Sequence, residues 1–88
     1  MHEVRLPNLG AQMVDAEITE WIVEEEERVE ERQIICVLET EKSSYDLEAE
    51  HNGILHIIIE ASEDKVPVGE LIAVLAESEE EYEKIKSM

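Results

Sequence analysis

Hydrophobic residues in this chain fall into short β-branched runs that are separated by charged turns. The runs at residues 54–59 and 71–75 are bounded by glycine, proline and charged residues, which is typical of β-strands. Apolar and acidic residues alternate over residues 45–50, and this period of two predicts a strand with one buried face. The pattern therefore predicts an all-β domain.

The same pattern occurs twice, at an offset of 37 residues and without a gap. The equivalent positions are residues 34–38 with 71–75, Ile18 with Leu55, Trp21 with Ile58, Ile22 with Ile59, and Val29 with Val66. Two repeats are too few for a solenoid. They predict a pseudo-twofold fold built from two similar sheets.

Residues 17–32 form the ambiguous segment, because good helix formers dominate their composition. Val29 is the only apolar residue between Val23 and Ile34, so no continuous helical stripe exists. The equivalent segment of the second half has the pattern of strands. We therefore predict strands, and not a helix, in residues 17–32.

The last eleven residues depart from the repeat. Ser78 and Glu81 have the spacing of a helix capping box, and Glu80 can pair with Lys84 one helical turn later. We expect residues 1–77 to form the domain. Residues 78–88 are expected to be an acidic tail, either a short helix or the start of a linker, and solvated rather than docked.

The composition narrows the possible functions. Eighty-eight residues with 24 acidic and 7 basic side chains give a net charge of −17, which disfavours nucleic acid and anionic membranes as partners. The length suits one domain, and 43% hydrophobic residues argue for a packed core. The single cysteine allows no disulfide within the chain and favours a reducing, cytosolic setting. No signal peptide or membrane span is visible, so we expect a soluble cytoplasmic protein.

Conventional catalytic and metal-binding motifs are missing from the sequence. Three histidines, His2, His51 and His56, show no metal-like spacing with the single cysteine, Cys36. Cys36 lies in an apolar run, which favours a small buried residue over a reactive thiol. No glycine-rich phosphate loop or nucleophile elbow occurs, so we expect neither a metal site nor an active site.

Lys42 stands out by its position between the two halves. It interrupts the run that ends at Glu39 and the alternating strand that begins at Tyr45, within Glu-Thr-Glu-Lys-Ser-Ser. Symmetry then predicts a turn at the end of the molecule opposite the chain termini. The spacing by itself leaves open an ordinary solvated lysine or an exposed attachment point for a mobile group.

The sequence resembles the lipoyl domains of 2-oxo-acid dehydrogenase complexes. Residues 6–13 resemble the first strand and surface loop of these domains, residues 18–21 match their I-x-x-W strand, and residues 39–42 resemble their E-T-D-K turn. Further matches follow at the family's spacing: Glu-Ala at residues 48–49, Gly-Ile-Leu at 53–55, Val-Pro-Val-Gly at 66–69 and Ile-Ala-Val at 72–74. The resemblance covers about residues 2–77.

This resemblance implies a flattened barrel or sandwich of two small antiparallel sheets with pseudo-twofold symmetry, the lipoyl/biotinyl carrier fold. It also implies that lipoate is attached through an amide bond to Lys42. The attachment turn would be recognised through Glu39, Thr40, Glu41 and Ser43. The loop that a partner recognises would comprise Leu9, Gly10, Ala11, Gln12, Met13 and Val14.

The resemblance further implies a carrier domain of a dihydrolipoamide acyltransferase, without an active site of its own. It would move acyl groups between a thiamine-dependent decarboxylase, the acyltransferase core and dihydrolipoamide dehydrogenase. The Leu-Gly-x-x-Met loop favours a complex of the pyruvate or acetoin type. A lipoate ligase or lipoyl transferase would modify the domain, which is expected to be monomeric in isolation.

Several positions depart from the family pattern. Ala16, Glu26, Arg32 and Glu63 stand where the family usually has glycine, so we expect other turn types there. Glu41 replaces the usual Asp, which adds a methylene beside the attachment lysine. Two alternatives stay open: a biotinyl carrier domain, whose lysine is typically flanked by methionines, and an unmodified interaction module of the same fold.

Overall fold

The computed structural model describes residues 1–10 and 13–88 of the chain. Within them it contains eight strands followed by one helix. The strands are β1 (His2–Arg5), β2 (Asp15–Trp21), β3 (Arg28–Val29), β4 (Ile34–Glu39), β5 (Ser44–Glu48), β6 (Gly53–Ile57), β7 (Val66–Pro67) and β8 (Leu71–Ala76), and the helix is α1 (Glu79–Lys86). Strands therefore replace the helix that propensity alone favours in residues 17–32, as predicted.

The strands form two four-stranded sheets, in the orders β1-β8-β6-β3 and β5-β4-β2-β7. Every pairing within them is antiparallel. The predicted all-β fold of two small antiparallel sheets is confirmed.

The predicted pseudo-twofold relation is visible in individual hydrogen bonds. Ile22 N–H donates to Ile35 O over 2.8 Å, and Ile59 N–H, 37 residues later, donates to Ile72 O over 3.1 Å. The halves also exchange strands, because β3 pairs with β6 and β7 pairs with β2. Trp21, at the end of β2, ties the halves further by donating from Nε1 to Ile59 O over 3.0 Å.

The core consists of the inward-facing residues of both sheets. Residues that lie 37 positions apart in the two halves contribute similar side chains to it. Ile18 and Leu55 are buried at equivalent positions, as are Val29 and Val66. In β5, Tyr45 and Leu47 are half-buried between exposed neighbours, and Ala49 just beyond it is buried. The alternating strand predicted at residues 45–50 is thus confirmed.

Two of the residues that stand in place of the family's glycines have the positive φ that glycine favours. The expectation of other turn types is therefore wrong at these two positions. Glu26 has a φ of 73° and Arg32 a φ of 75°. Arg32 is the repeat equivalent of Gly69, whose φ is 93°. Backbone bonds hold the left-handed conformation, since Glu26 N–H donates to Leu55 O over 2.8 Å and Arg32 N–H donates to Ala49 O over 2.7 Å.

The other two residues that stand in place of glycine, Ala16 and Glu63, do not have a positive φ. Ala16 is buried within β2, opposite Val66, and Glu63 lies outside the left-handed region. Ala16 is equivalent to Gly53, where an added Cβ would lie 2.8 Å from Ala76 O. The two halves therefore differ in how closely neighbouring backbone approaches this position.

The C-terminal segment docks on the first sheet, so the expectation of a solvated tail is wrong. Ser78 caps α1 by accepting a hydrogen bond from Glu81 N–H, as the capping box predicted. Tyr82 is only 1% exposed and packs against Ile54 and Ala76. The reason is a long-range contact, because the Tyr82 hydroxyl donates to Glu25 Oε2 over 2.6 Å. The domain boundary at residue 77 stays a prediction.

Cys36 is fully buried in β4. Burial raises the pKa of its thiol to about 12, so the thiolate required for nucleophilic chemistry is disfavoured. The interpretation of Cys36 as a small core residue is confirmed. No helix in the described part of the chain is long and apolar enough to cross a membrane.

Candidate functional site

Lys42 lies in the tight turn that connects β4 to β5. Thr40 N–H donates to Ser43 O over 2.9 Å and closes the turn. The Thr40 hydroxyl oxygen accepts hydrogen bonds from the backbone N–H groups of Lys42 at 3.3 Å and Ser43 at 3.2 Å. Backbone groups and one short side chain hold this turn, and the lysine side chain takes no part in it.

The Lys42 side chain is exposed and makes no ion pair or hydrogen bond with the residues that the structure describes. Lys65, the other lysine of the repeated body, is different. Its Nζ lies 3.0 Å from Glu17 Oε1. The hydrogen bond with Glu17 and the charges of Glu17, Asp15 and Glu41 raise the pKa of Lys65. Of these two lysines, only Lys65 is paired with a carboxylate among the residues that the structure describes.

The predicted recognition loop and the lysine turn meet at one shallow cleft of about 370 Å³. The loop contributes Gly10, Met13 and Val14, and the turn contributes Thr40, Glu41 and Lys42. Leu9 lies outside this lining, while Ala11 and Gln12 lie outside the described residues. Glu39 and Ser43 are exposed on either side of the turn. The structure thus brings together most of the two predicted site segments.

Short-range hydrogen bonds order the described part of the loop. Met13 N–H donates to Gly10 O over 3.2 Å, and Leu9 N–H contacts Met13 Sδ at 3.2 Å. Gly10 N–H donates to Asn8 Oδ1 over 3.3 Å. Val14 is 73% exposed and Leu9 38%, so the loop presents apolar surface next to the lysine turn.

Three residues of the cleft are absent from the sequence-based prediction of the site: Asp15, Tyr45 and Lys65. Tyr45 belongs to the alternating strand, where its spacing indicates only a core-facing residue. Lys65 reaches the cleft because β7 pairs with β2. The repeated body contains only two lysines, Lys42 and Lys65. This scarcity is the sequence signal that points to Lys65 as a candidate residue of the site.

The surroundings of the lysine turn are strongly acidic. Glu17 and Glu39 occupy directly opposed positions of β2 and β4, an arrangement of like charges that costs stability unless a cation compensates it. Lys65 supplies that cation at Glu17. Among the described residues, no group of three metal-ligating side chains comes together.

Residues 2–75 of the chain match the Biotin_lipoyl family, which is described as "Biotin-requiring enzyme". The match covers most of the chain, including both halves of the repeat and the lysine turn. The protein therefore belongs to this family.

Individual relatives within this family are acyltransferase components of dehydrogenase complexes. The chain is 33% identical over 85 residues to the dihydrolipoyllysine-residue acetyltransferase component 3 of the mitochondrial pyruvate dehydrogenase complex of Arabidopsis thaliana, covering 96% of this chain and 16% of that protein. It is 32% identical to the dihydrolipoyllysine-residue succinyltransferase component of the 2-oxoglutarate dehydrogenase complex of Bacillus subtilis, covering 88% of this chain and 18% of that protein. The chain thus spans less than a fifth of the length of these curated relatives.

One solved structure aligns with this chain along almost all of its own length. The lipoyl domain of the 2-oxoglutarate dehydrogenase complex from Azotobacter vinelandii superposes with a TM-score of 0.71 and 25% identity, over 89% of this chain and 99% of that domain. The resemblance to lipoyl domains that the sequence motifs predicted is confirmed.

Proposed function

We propose that this protein is a lipoyl carrier domain whose lipoate is attached to Lys42. The observation that carries the proposal is the exposed amine of Lys42 on a turn that Thr40 holds. Similarity to lipoyl-bearing proteins of three species supports the same assignment.

The residues of the turn fit a covalently attached acyl group. Modification at Nζ disturbs none of the hydrogen bonds that close the turn, because these bonds use the backbone and Thr40. Glu39 and Glu41 flank the amine as exposed carboxylates and present a charged surface to a modifying enzyme. Lipoate, when bound, would supply a dithiolane that accepts an acyl group and electrons.

The domain would contribute mobility and recognition to an acyltransferase of the pyruvate- or acetoin-type complexes. A tether raises the effective concentration of Lys42 at each partner to about the millimolar range. The partners would be a thiamine-dependent decarboxylase, the acyltransferase core and dihydrolipoamide dehydrogenase. Gly10, Met13 and Val14 line the same cleft as the lysine turn, which lets one partner contact both segments.

A biotinyl carrier domain is the second candidate, since the matched family includes biotin-dependent enzymes by its description. The lysine environment argues against it, because Lys42 lies between Glu41 and Ser43 and not between methionines. The relatives whose names specify a modified lysine name a lipoyllysine.

Incubation with lipoate, ATP and a purified lipoate ligase tests the proposal. We expect a mass increase of one lipoyl group on the intact chain, mapped by peptide sequencing to Lys42. Biotin with a biotin ligase provides the competing reaction. Two conservative variants locate the site: Lys42→Arg should abolish the modification, and Lys65→Arg, changed in the same cleft, should retain it.

Thermal unfolding of both variants separates loss of the site from loss of the fold. Lys42→Arg should unfold within about 0.5 kcal/mol of the wild type, as expected for an exposed residue. An unmodified wild-type chain, or lipoylation that persists in Lys42→Arg, contradicts the proposal. Modification by biotin ligase alone would favour the second candidate.

A further inference from the structure

The strands β1 and β5 are edge strands, each at one end of its sheet. Among the described residues, β1 pairs only with β8 and β5 pairs only with β4. Val4 of β1 lies opposite Ala73. Leu47 of β5 lies opposite Cys36, which is the repeat equivalent of Ala73. The two sheets are therefore open at equivalent edges, where backbone N–H and C=O groups can pair with a further strand.

A cleft of about 240 Å³ lies between these two edges, lined by residues 3–5 of β1 and by residues 47–51, which begin in β5. A second cleft of about 400 Å³ shares Pro7 and residues 47–50 with the first and extends to Asp46. The two clefts adjoin along residues 47–50, and we call their combined surface the edge groove. An extended segment of six residues spans about 20 Å, which is the length of residues 46–51.

The floor of the edge groove is apolar. Val4 and Leu47 are half-buried and pack against the core. Ala49 and Leu75, which line the same cleft, are buried. Because successive side chains of an extended segment point to opposite faces, a segment with an apolar residue at every second position would place one apolar face on this floor.

The rim of the edge groove is predominantly acidic. Five carboxylates line it, with two arginines and one histidine: Glu3, Glu31, Asp46, Glu48, Glu50, Arg5, Arg32 and His51. Arg5 is already paired, since its Nη2 lies 3.1 Å from Glu3 Oε1 and its Nη1 donates to Gly69 O over 2.9 Å. The rim therefore complements a basic segment, whereas a second copy of this chain would bring like charges against it.

We propose that the edge groove binds an extended basic segment of another protein, which adds a strand to β5 and places cationic side chains against Glu48 and Glu50. The segment joins β5 because β5 lines both clefts, whereas β1 lines only the first. Backbone pairing supplies affinity, and alternating basic and apolar side chains supply specificity. Binding here needs no group on Lys42, so the proposal goes beyond the carrier function and stands or falls separately from it.

NMR titration of the unmodified chain tests the proposal, with an acetylated and amidated hexapeptide, Lys-Val-Lys-Val-Lys-Val, as the probe. Salt at about 0.15 M gives a Debye length of about 8 Å and screens distant charges. We expect saturable amide shifts that are largest at residues 3–5 and 46–51. The peptide Lys-Gly-Lys-Gly-Lys-Gly has the same charge without apolar side chains, and it should bind at least about tenfold more weakly.

Two double variants separate the groove from the overall charge. Glu48→Lys with Glu50→Lys reverses two charges of the rim and should weaken binding of the valine peptide about tenfold or more. Glu60→Lys with Glu63→Lys is the matched control, because it makes the same change of net charge at exposed residues that line neither cleft. Binding to the control should stay within about threefold of the wild type.

Equal weakening in the two double variants would show that the peptide follows the net charge of −17, and would overturn the proposal. Equal binding of the valine and glycine peptides to the wild type would overturn it without reference to any variant. Absence of saturable shifts, or shifts that are largest at the lysine turn, would also overturn it.

Discussion

The hydroxyl of Tyr82 donates a hydrogen bond to Glu25 Oε2 over 2.6 Å, across 57 residues of sequence. The same carboxylate lies 2.7 Å from His56 Nδ1, and its other oxygen accepts from Ile57 N–H over 2.7 Å. Glu25 therefore anchors α1 to β6 through three partners. This contact holds a short charged helix against the first sheet.

Removing the Tyr82 hydroxyl should weaken the docking of α1. We expect Tyr82→Phe to lower the free energy of unfolding by about 1 kcal/mol, since a hydrogen bond to a partly exposed carboxylate is lost. Urea denaturation measures the change. Tyr45→Phe is the control, because the Tyr45 hydroxyl makes no hydrogen bond with the described residues, and it should cost less than about 0.5 kcal/mol. Equal losses in the two variants would refute this account of Tyr82.

The stability of the docked helix should depend on pH through Glu25. Desolvation raises the pKa of Glu25, but hydrogen bonds from Tyr82, His56 and Ile57 N–H outweigh it and hold the pKa below its ordinary value of 4.5. A carboxyl with a depressed pKa stabilises the folded state above its unfolded pKa, and this contribution disappears as the pH falls through the folded value.

Comparison of the wild type with Glu25→Gln between pH 7 and pH 3 isolates this contribution. The net charge of −17 also becomes less negative on acidification, which relieves self-repulsion in both chains alike. We expect the stability difference between the two chains to shrink below about pH 4.5. Glu60→Gln makes the same charge change at an exposed carboxylate without a hydrogen bond to any described residue, and its difference from the wild type should show no such loss. A pH-independent difference for Glu25→Gln would exclude the mechanism.

Glycine at the two strained turn positions should stabilise the protein. Glu26→Gly and Arg32→Gly each relieve a left-handed conformation that disfavours a side chain, and we expect a gain of about 0.5–1 kcal/mol after the entropy of glycine in the unfolded chain is included. The two changes shift the net charge in opposite directions, so a gain common to both has a backbone origin.

Gly69→Ala provides the reverse test at the position equivalent to Arg32. An added Cβ at Gly69 meets no atom within 4 Å, so its cost reports the positive φ alone. We expect a loss of about 1 kcal/mol in thermal or urea unfolding. Destabilisation by Arg32→Gly together with a neutral Gly69→Ala would show that these turns carry no such strain.

Thr40 should govern the order of the lysine turn. Thr40→Ala removes the hydroxyl that accepts from Lys42 N–H and Ser43 N–H, and we expect lipoylation by lipoate ligase to slow about 3–10-fold because the lysine is less well placed. Thr40→Ser retains the hydroxyl and should react at the wild-type rate. If Thr40→Ala is lipoylated as fast as Thr40→Ser, the hydroxyl has no part in presenting Lys42.

The features predicted from sequence are those with local or repeated signals. The offset of 37 residues predicts two similar sheets even where residues 17–32 favour a helix, and Ser78 with Glu81 predicts the start of α1. The sequence does not predict the docking of Tyr82, because its partner, Glu25, lies in a run of four glutamates, a pattern typical of a solvated segment.

Exchange of β3 and β7 between the sheets means that neither half of the repeat can complete a sheet by itself. Each half supplies both edge strands of the sheet whose two central strands come from the other half. Contacts between distant residues therefore dominate, and such topologies fold slowly for their size. Cleavage between the halves should yield fragments that are unfolded apart and recover structure only when mixed. The β4–β5 turn that carries Lys42 therefore belongs to a sheet built by both halves, since β4 pairs with β2 and β2 pairs with β7.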